Sequence, residues 1–214
     1  MGTMLQAHNL READYRGARF AGHPVDLRGC SDLLCLTQPD LVAGIHRAFL
    51  EAGADLIETN TFNATPVSLE DYQLQDCVEE LNRTAAALAR RAADEYTAKD
   101  PGRPRFVAGS IGPTRIALSL SPRVEDPGFR THTFDQIAQG YYRQIKGLLE
   151  GGADLLLAET TFDTLTLKAC LWAVAQHCQE RGQRLPLMVS ATFADQSGRI
   201  LSGQTLEAFW NAVE

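Results

Sequence analysis

Residues 51–64 read EAGADLIETNTFNA, and residues 150–164 read EGGADLLLAETTFDT. Each phrase closes a helical pattern on Gly-Ala-Asp, continues as an apolar run and ends on Glu-Thr, with Thr-Phe close behind. Apolar runs of this length, bounded by turn residues, read as buried strands. Side chains alternate along a strand. Asp55 and Glu58 are an odd number of residues apart, as are Asp154 and Glu159, so both glutamates face the same way relative to their aspartates. The chain therefore carries two acidic residues at the carboxyl ends of two apolar strands. In a barrel of parallel strands, that end is where the chemistry sits.

Outward from these phrases, strand patterns alternate with helical ones. Thr37-Gln38-Pro39-Asp40 reads as a helix start, with a hydroxyl cap, proline in the first turn and an acid near the positive end. Leu41, Val42, Ile45, Phe49 and Leu50 then form an inward stripe that ends near Gly53. The first clear strand covers 55–62. A helix is expected over about 76–96, with Val78, Leu81, Ala85, Leu88 and Ala92 on one face. KDPGRPR is a loop, and FVAGSIGP (106–113) is the second strand and its exit turn. Residues 115–132 hold Pro122, Pro127 and Gly128 without periodicity and read as a long loop, a feature that often serves function. Thr133-Phe134-Asp135-Gln136 has the capping-box pattern and opens a helix with Ile137, Tyr141, Ile145 and Leu148 inward. The third strand is 154–159. Asp163 caps a helix bearing Leu167, Leu171, Val174 and Cys178 that stops at Gly182, and 186–193 is the fourth strand. Turns at Ser-Gly-Arg and Ser-Gly-Gln lead to a last helix from Thr205.

Strands that are apolar on both faces and alternate with helices indicate a parallel α/β sheet. No linker or break in composition divides the chain, so one domain, 1–214, is expected. A complete (β/α)8 barrel has about 250 residues, and only four strands stand out here, so a partial barrel is the expected architecture.

Composition narrows the function. Hydrophobic residues make up 44% and charged residues 22%, ordinary for a globular protein. The net charge of -7 argues against nucleic-acid binding, which needs clustered Lys and Arg. No apolar run approaches the roughly 20 residues that span a bilayer, and MGTMLQAHNL lacks the pattern of a secretory signal. A cytoplasmic location is the expectation. Five cysteines, an odd number, argue against a disulfide framework. Cys30 and Cys35 lie close in sequence, but no second pair and no histidine complete a metal set. Cys77, Cys170 and Cys178 fall on helical patterns as small buried or half-buried side chains. There is no P-loop or GxGxxG, no strand-end lysine suited to a Schiff base and no late phosphate-binding loop.

Seven stretches, in order, carry a resemblance: MGTML, ADYRGARF (13–20), GADLIETNTFNAT, FVAGSIGPT, SPRVEDPGFRTHTFD (121–135), GGADLLLAETTFDTL and SGRILSGQT (197–205). Together they span essentially the whole chain. The sequence resembles the homocysteine-binding S-methyltransferase domains, in particular the first module of the cobalamin-dependent methionine synthases. The resemblance implies a (β/α)8 barrel, of which this chain would supply about strands two to five. The implied substrate is L-homocysteine, whose thiol is methylated to give methionine. A thiol must become a thiolate to act as a nucleophile. In the family, zinc held by three cysteine thiolates serves this end, with a fourth position open for the substrate. The implied methyl donor is methylcobalamin on another module, recharged from methyltetrahydrofolate at a further one. The family's zinc cysteines lie in Gly-x-Asn-Cys and Gly-Gly-Cys-Cys contexts, and neither occurs here; no metal ligand is assigned to this chain. The Asp-Gly that normally precedes Met-Gly-Thr is absent too.

By the same resemblance, Glu159 receives the substrate's ammonium group, which positions the sulfur rather than moving a proton. The alternative is a structural carboxylate that caps a helix or pairs with an arginine. Glu58 has the same place on its strand; otherwise it is a bridge between adjacent loops. Asn60 and Thr61 shape the pocket or fix its turn. Gly109 and Gly112 allow close backbone approach or a tight turn. Asp163 is read as a cap, His46 and His132 carry no catalytic assignment, and Arg115, Arg123 and Arg130 are read as surface or module-contact charges. A rival reading is a non-catalytic half-barrel that assembles with a partner or with itself, because an open sheet leaves edge groups unpaired and apolar surface uncovered.

Overall fold

The alternating patterns resolve into a parallel sheet with its helices packed against one face. The computed structural model describes residues 1–214. Three short helices, α1 (Gly2–Gln6), α2 (Glu12–Arg16) and α3 (Leu34–Thr37), precede α4 (Pro39–Glu51) and strand β1 (Leu56–Glu58). The short α5 (Pro66–Leu69) and the long α6 (Val78–Lys99) lead to β2 (Phe106–Ile111). Then follow α7 (Phe134–Glu150), β3 (Leu155–Thr161), α8 (Thr164–Arg181), β4 (Leu187–Ala191) and α9 (Leu206–Val213). The strand order is β1-β2-β3-β4 and every pair is parallel. The sheet is not closed, which is the partial barrel expected from the sequence. No helix is long and apolar enough to cross a membrane.

One face of the sheet is covered and the other is open. Register aligns Ile57 with Val107, Gly109 with Leu156 and Leu156 with Leu187; this is the helix-facing set. Leu156, Ala158 and Ile111 pack with Ile137, Tyr141, Ile145 and Leu148 of α7 and with Leu167, Cys170 and Val174 of α8. Each large apolar side chain so buried contributes about 1.5–3 kcal/mol. Leu56, Glu58, Phe106, Ala108, Ser110, Leu157, Glu159 and Met188 lie on the opposite face, where Phe106 is 44% and Met188 48% exposed while Ala108, Ser110 and Leu157 in the middle of the sheet are buried.

Two helix starts form as read. The Thr133 hydroxyl accepts from Gln136 N–H (3.2 Å) and Gln136 Oε1 accepts from Thr133 N–H (2.8 Å), a reciprocal capping box. Asp163 Oδ1 accepts from Leu165 N–H (2.8 Å) and Thr166 N–H (3.2 Å) at the start of α8, which ends at Gly182 in the left-handed conformation. Asp163 also accepts from Ser119 N–H and Ser119 Oγ, both at 2.8 Å, so one buried carboxylate caps a helix and holds the long loop. Asp163→Ala should therefore cost about 2 kcal/mol, a lost cap plus unsatisfied loop donors. A denaturant midpoint equal to that of the parent would refute the double role.

Four readings need correction. Thr37 does not cap α4: it closes α3 and its hydroxyl donates to Leu33 O (3.5 Å), leaving Gln38 at the cap position. Phe49, expected in the inward stripe, is 42% exposed at the open edge beside β1. The ladder of β1 stops at Glu58 rather than 62, because hydroxyls take over its bonds: Ser110 N–H donates to Thr59 Oγ1 (2.9 Å) and Thr61 Oγ1 donates to Ser110 O (2.7 Å). Arg130 is no free surface charge. Its guanidinium donates to Leu118 O (2.6 Å) and Ser119 O (3.1 Å) and staples the loop.

Candidate functional site

The repeated aspartates and glutamates separate as the odd spacing requires. Asp55 and Asp154 stay at the amino ends of their strands. Asp55 pairs with Arg103 (2.5 Å), while Asp154 accepts from Arg90 (2.6 Å) and Val107 N–H (2.7 Å). Glu58 and Glu159 lie at the carboxyl ends, on the open face, without an arginine or lysine partner.

Local backbone geometry aims Glu159. Ala158 pairs with Val189 and Thr161 with Ala191, so β3 carries one extra residue there, a β-bulge. Bulges commonly re-aim a side chain beside a functional site. Thr160, in the bulge, has φ 59°, a left-handed conformation that is strained for a β-branched residue. Its N–H is held by Ser190 Oγ at 2.9 Å. Ser110 Oγ donates to Glu159 Oε1 at 2.5 Å, which fixes the half-buried carboxylate from the neighbouring strand. Glu58 is open to solvent on one side. Even so, desolvation by its neighbours, and next the charge of Glu159, push its carboxyl above the ordinary range. Glu58 thus senses the charge of Glu159 across the sheet, an arrangement suited to a cationic group placed between the two.

The other expected site residues are placed differently. Asn60 is buried and its Nδ2 donates to Ser31 O (2.7 Å), away from the open face. Thr61 is fully buried, its hydroxyl spent on Ser110 O and Thr59 and its carbonyl accepting from Gln144 Nε2 (2.8 Å). Both brace the turn under Glu58. At Gly109 an added Cβ would lie 3.0 Å from Leu148 of α7, so this glycine allows close helix packing rather than facing the open side. At Gly112 a Cβ would lie 2.3 Å from Phe62 O, the close approach that ties the two strand exits together. Ser110 was not singled out in the sequence. Alternation puts it on the same face as Phe106 and Ala108, but only the β2–β3 register brings it to Glu159.

The family model for homocysteine S-methyltransferase matches residues 1–214. The chain belongs to the homocysteine S-methyltransferase family. Among solved structures it is similar to the homocysteine methyltransferase MmuM from Escherichia coli. The metallated form aligns with a TM-score of 0.74 at 24% identity, over 100% of this chain and 67% of that one. The oxidized form gives 0.70 at 24% identity, over 96% and 64%, and the apo form 0.64 at 22%, over 96% and 62%. These likenesses establish the fold, and this chain spans about two thirds of the length of the Escherichia coli protein.

The family is typically zinc-dependent, but the donors in this chain do not fit a zinc centre. No three His, Cys, Asp or Glu side chains converge on one point. Cys30, Cys35 and Cys170 are buried, and desolvation holds their thiols protonated: Cys30 and Cys170 are each pushed up to about 12, and Cys35 is raised further. A cysteine ligates zinc as the thiolate. Cys77 and Cys178 are half-buried single residues.

Proposed function

We propose that residues 1–214 form a single, incomplete homocysteine-binding domain of a methionine synthase. In the parent protein the homocysteine thiol would be activated by zinc and methylated from methylcobalamin carried by another module, which a folate-binding module recharges. The loop 121–130 and residues 197–205, which resemble the cobalamin-dependent enzymes, support that context, as does membership of the family. The setting proposed is cytoplasmic.

In this reading Glu159 accepts the substrate ammonium, Ser110 holds the carboxylate in place, and Glu58 adds a second negative charge on the same face. The thiol and carboxylate of homocysteine then extend over the carboxyl ends of the strands. The observation that carries the proposal is the Ser110–Glu159 hydrogen bond on the open face, in a chain of this family. L-Homocysteine titrated into the 15N-labelled chain should shift the Ser110 and Glu159 amides saturably. Absence of any saturable change at these positions would defeat the reading.

The cysteines here do not converge on a zinc centre, and burial keeps Cys30, Cys35 and Cys170 protonated. The expected result is that the 214-residue chain forms no methionine from homocysteine and methylcobalamin, with or without added zinc. Zinc-dependent turnover by the chain alone would overturn this.

Exposed apolar side chains on the open face, Leu56, Phe106 and Met188, favour a second reading, a half-barrel that assembles with a partner or with itself. Sedimentation that does not depend on concentration, in the absence of any partner, would count against it.

A further inference from the structure

Outside the strand-end site, a cleft of about 200 Å3 opens between the segment around residue 30, the loop after β1 and the turn at 68–72. Asp32 lines it and is only 4% exposed. Its Oδ1 accepts from Asn63 N–H at 2.9 Å. No side chain donates to the carboxylate, and no arginine, lysine or histidine pairs with it. Buried charges are ordinarily paired, so Asp32 lacks a partner that its position calls for.

The other groups facing Asp32 do not supply one. Arg115 reaches the rim, but its guanidinium is held by Glu70 (2.9 Å), Asp71 (3.4 Å) and Val67 O (3.2 Å). Its charge is therefore already matched. Cys30, Cys35 and Tyr72 feel the charge of Asp32, and all three stay neutral because burial and that charge raise them. Asp71 adds negative charge to the rim. Ser68 and Tyr72 line the same space; the Ser68 hydroxyl accepts from Thr65 Oγ1 at 3.0 Å and keeps a second lone pair, and the Tyr72 hydroxyl oxygen lies 3.3 Å from where a Cβ on Gly29 would be. An anion finds no free donor charge here. A metal ion finds no cluster of three ligating side chains. An ammonium group has three N–H donors on a single positive charge, which suits one carboxylate flanked by two hydroxyls.

We propose that this cleft binds a small primary ammonium, with Asp32 as counter-ion and the Ser68 and Tyr72 hydroxyls accepting its remaining N–H groups. The site is separate from the strand-end carboxylates and does not depend on the homocysteine reading. Desolvation pushes the Asp32 carboxyl up to about 6. Its folded-state pKa is thus raised above its ordinary value of 3.8, so stability is lost as pH rises from about 4 to about 6 and the buried group ionises. A bound ammonium offsets that loss by pairing with the ionised form.

The test uses the 15N-labelled chain and ethylammonium chloride, with sodium chloride balancing ionic strength. Saturable shifts are expected at Gly29 and Asn63. Affinity should fall roughly tenfold or more in Asp32→Asn, and also as pH drops well below about 6. If Asp32→Asn does not fold, Ser68→Ala and Tyr72→Phe serve in its place, each expected to weaken binding several-fold. Shifts that do not saturate, an affinity unchanged by these substitutions, or equal shifts with potassium chloride would overturn the proposal.

Discussion

Gly151→Val should lower the stability of this chain by about 3 kcal/mol, the upper range for forcing extra atoms into a packed interior. The reason is the crossing of α6 and α7. A Cβ on Gly151 would lie 2.3 Å from Arg83 O and 2.6 Å from the Ala86 Cβ. One turn earlier, a Cβ on Gly147 would lie 2.6 Å from Glu79 O and 2.8 Å from the Asn82 Cβ. The obstacles are mostly backbone and the first atom of short side chains, so no rotamer change relieves them. The helices must separate, and the Tyr141, Ile145 and Leu148 face of α7 loses its fit to the sheet. Gly44→Ala is the matched control: nothing lies within 4 Å of its added Cβ, and it sits inside α4. Better helix propensity should make it neutral to about 1 kcal/mol more stable. Urea midpoints for the two variants decide the matter. A Gly151→Val midpoint within error of the parent would mean that the crossing is not as tight as described.

The glycines at 147 and 151 show what the sequence could and could not reveal. The Gly-Ala-Asp that closes the helical pattern, at 152–154, marks a terminus, and α7 does end next to it at Glu150. That Gly147 and Gly151 let two helices touch depends on residues more than sixty positions away in α6, which no local pattern encodes. The same division runs through the site. Period-two alternation and the strand-end rule were enough to place Glu58 and Glu159 on one face, because both depend only on the chain nearby. Capping at Thr133 and Asp163 was legible for the same reason. Asn60, Thr61 and Gly109 were ambiguous, since a polar residue or glycine at a strand exit serves a ligand or the fold equally well. Their side-chain directions come from long-range partners: Ser31 for Asn60, Ser110 and Gln144 for Thr61, Leu148 for Gly109. The bulge at Thr160 was invisible for a related reason. It follows from the β3–β4 register and a bond to Ser190, not from a glycine or other local marker.

Glu159→Gln should weaken L-homocysteine binding roughly 30-fold, or about 2 kcal/mol, the lower end for removing one partner of a hydrogen-bonded charge pair. The lower end applies because Glu159 is half-buried and water screens part of its charge. The amide keeps the size of the side chain and can still accept from Ser110 Oγ, so the substitution tests charge rather than shape. Ser110→Ala makes the complementary change: it keeps the charge and removes the bond that orients it, with a several-fold loss expected. Glu58→Gln removes the second charge, the one that desolvation and then Glu159 already make harder to ionise. Glu58 is exposed and no hydrogen bond orients its carboxylate, so its effect should be smaller than that of Glu159→Gln. Calorimetric titration of the three variants at one pH ranks these contributions. If Glu58→Gln proves the more damaging, the ammonium sits on β1 rather than β3, and Glu159 with its bulge and serine is a structural bridge. If none of the three changes affinity, the open-face carboxylates do not hold the amino-acid head at all.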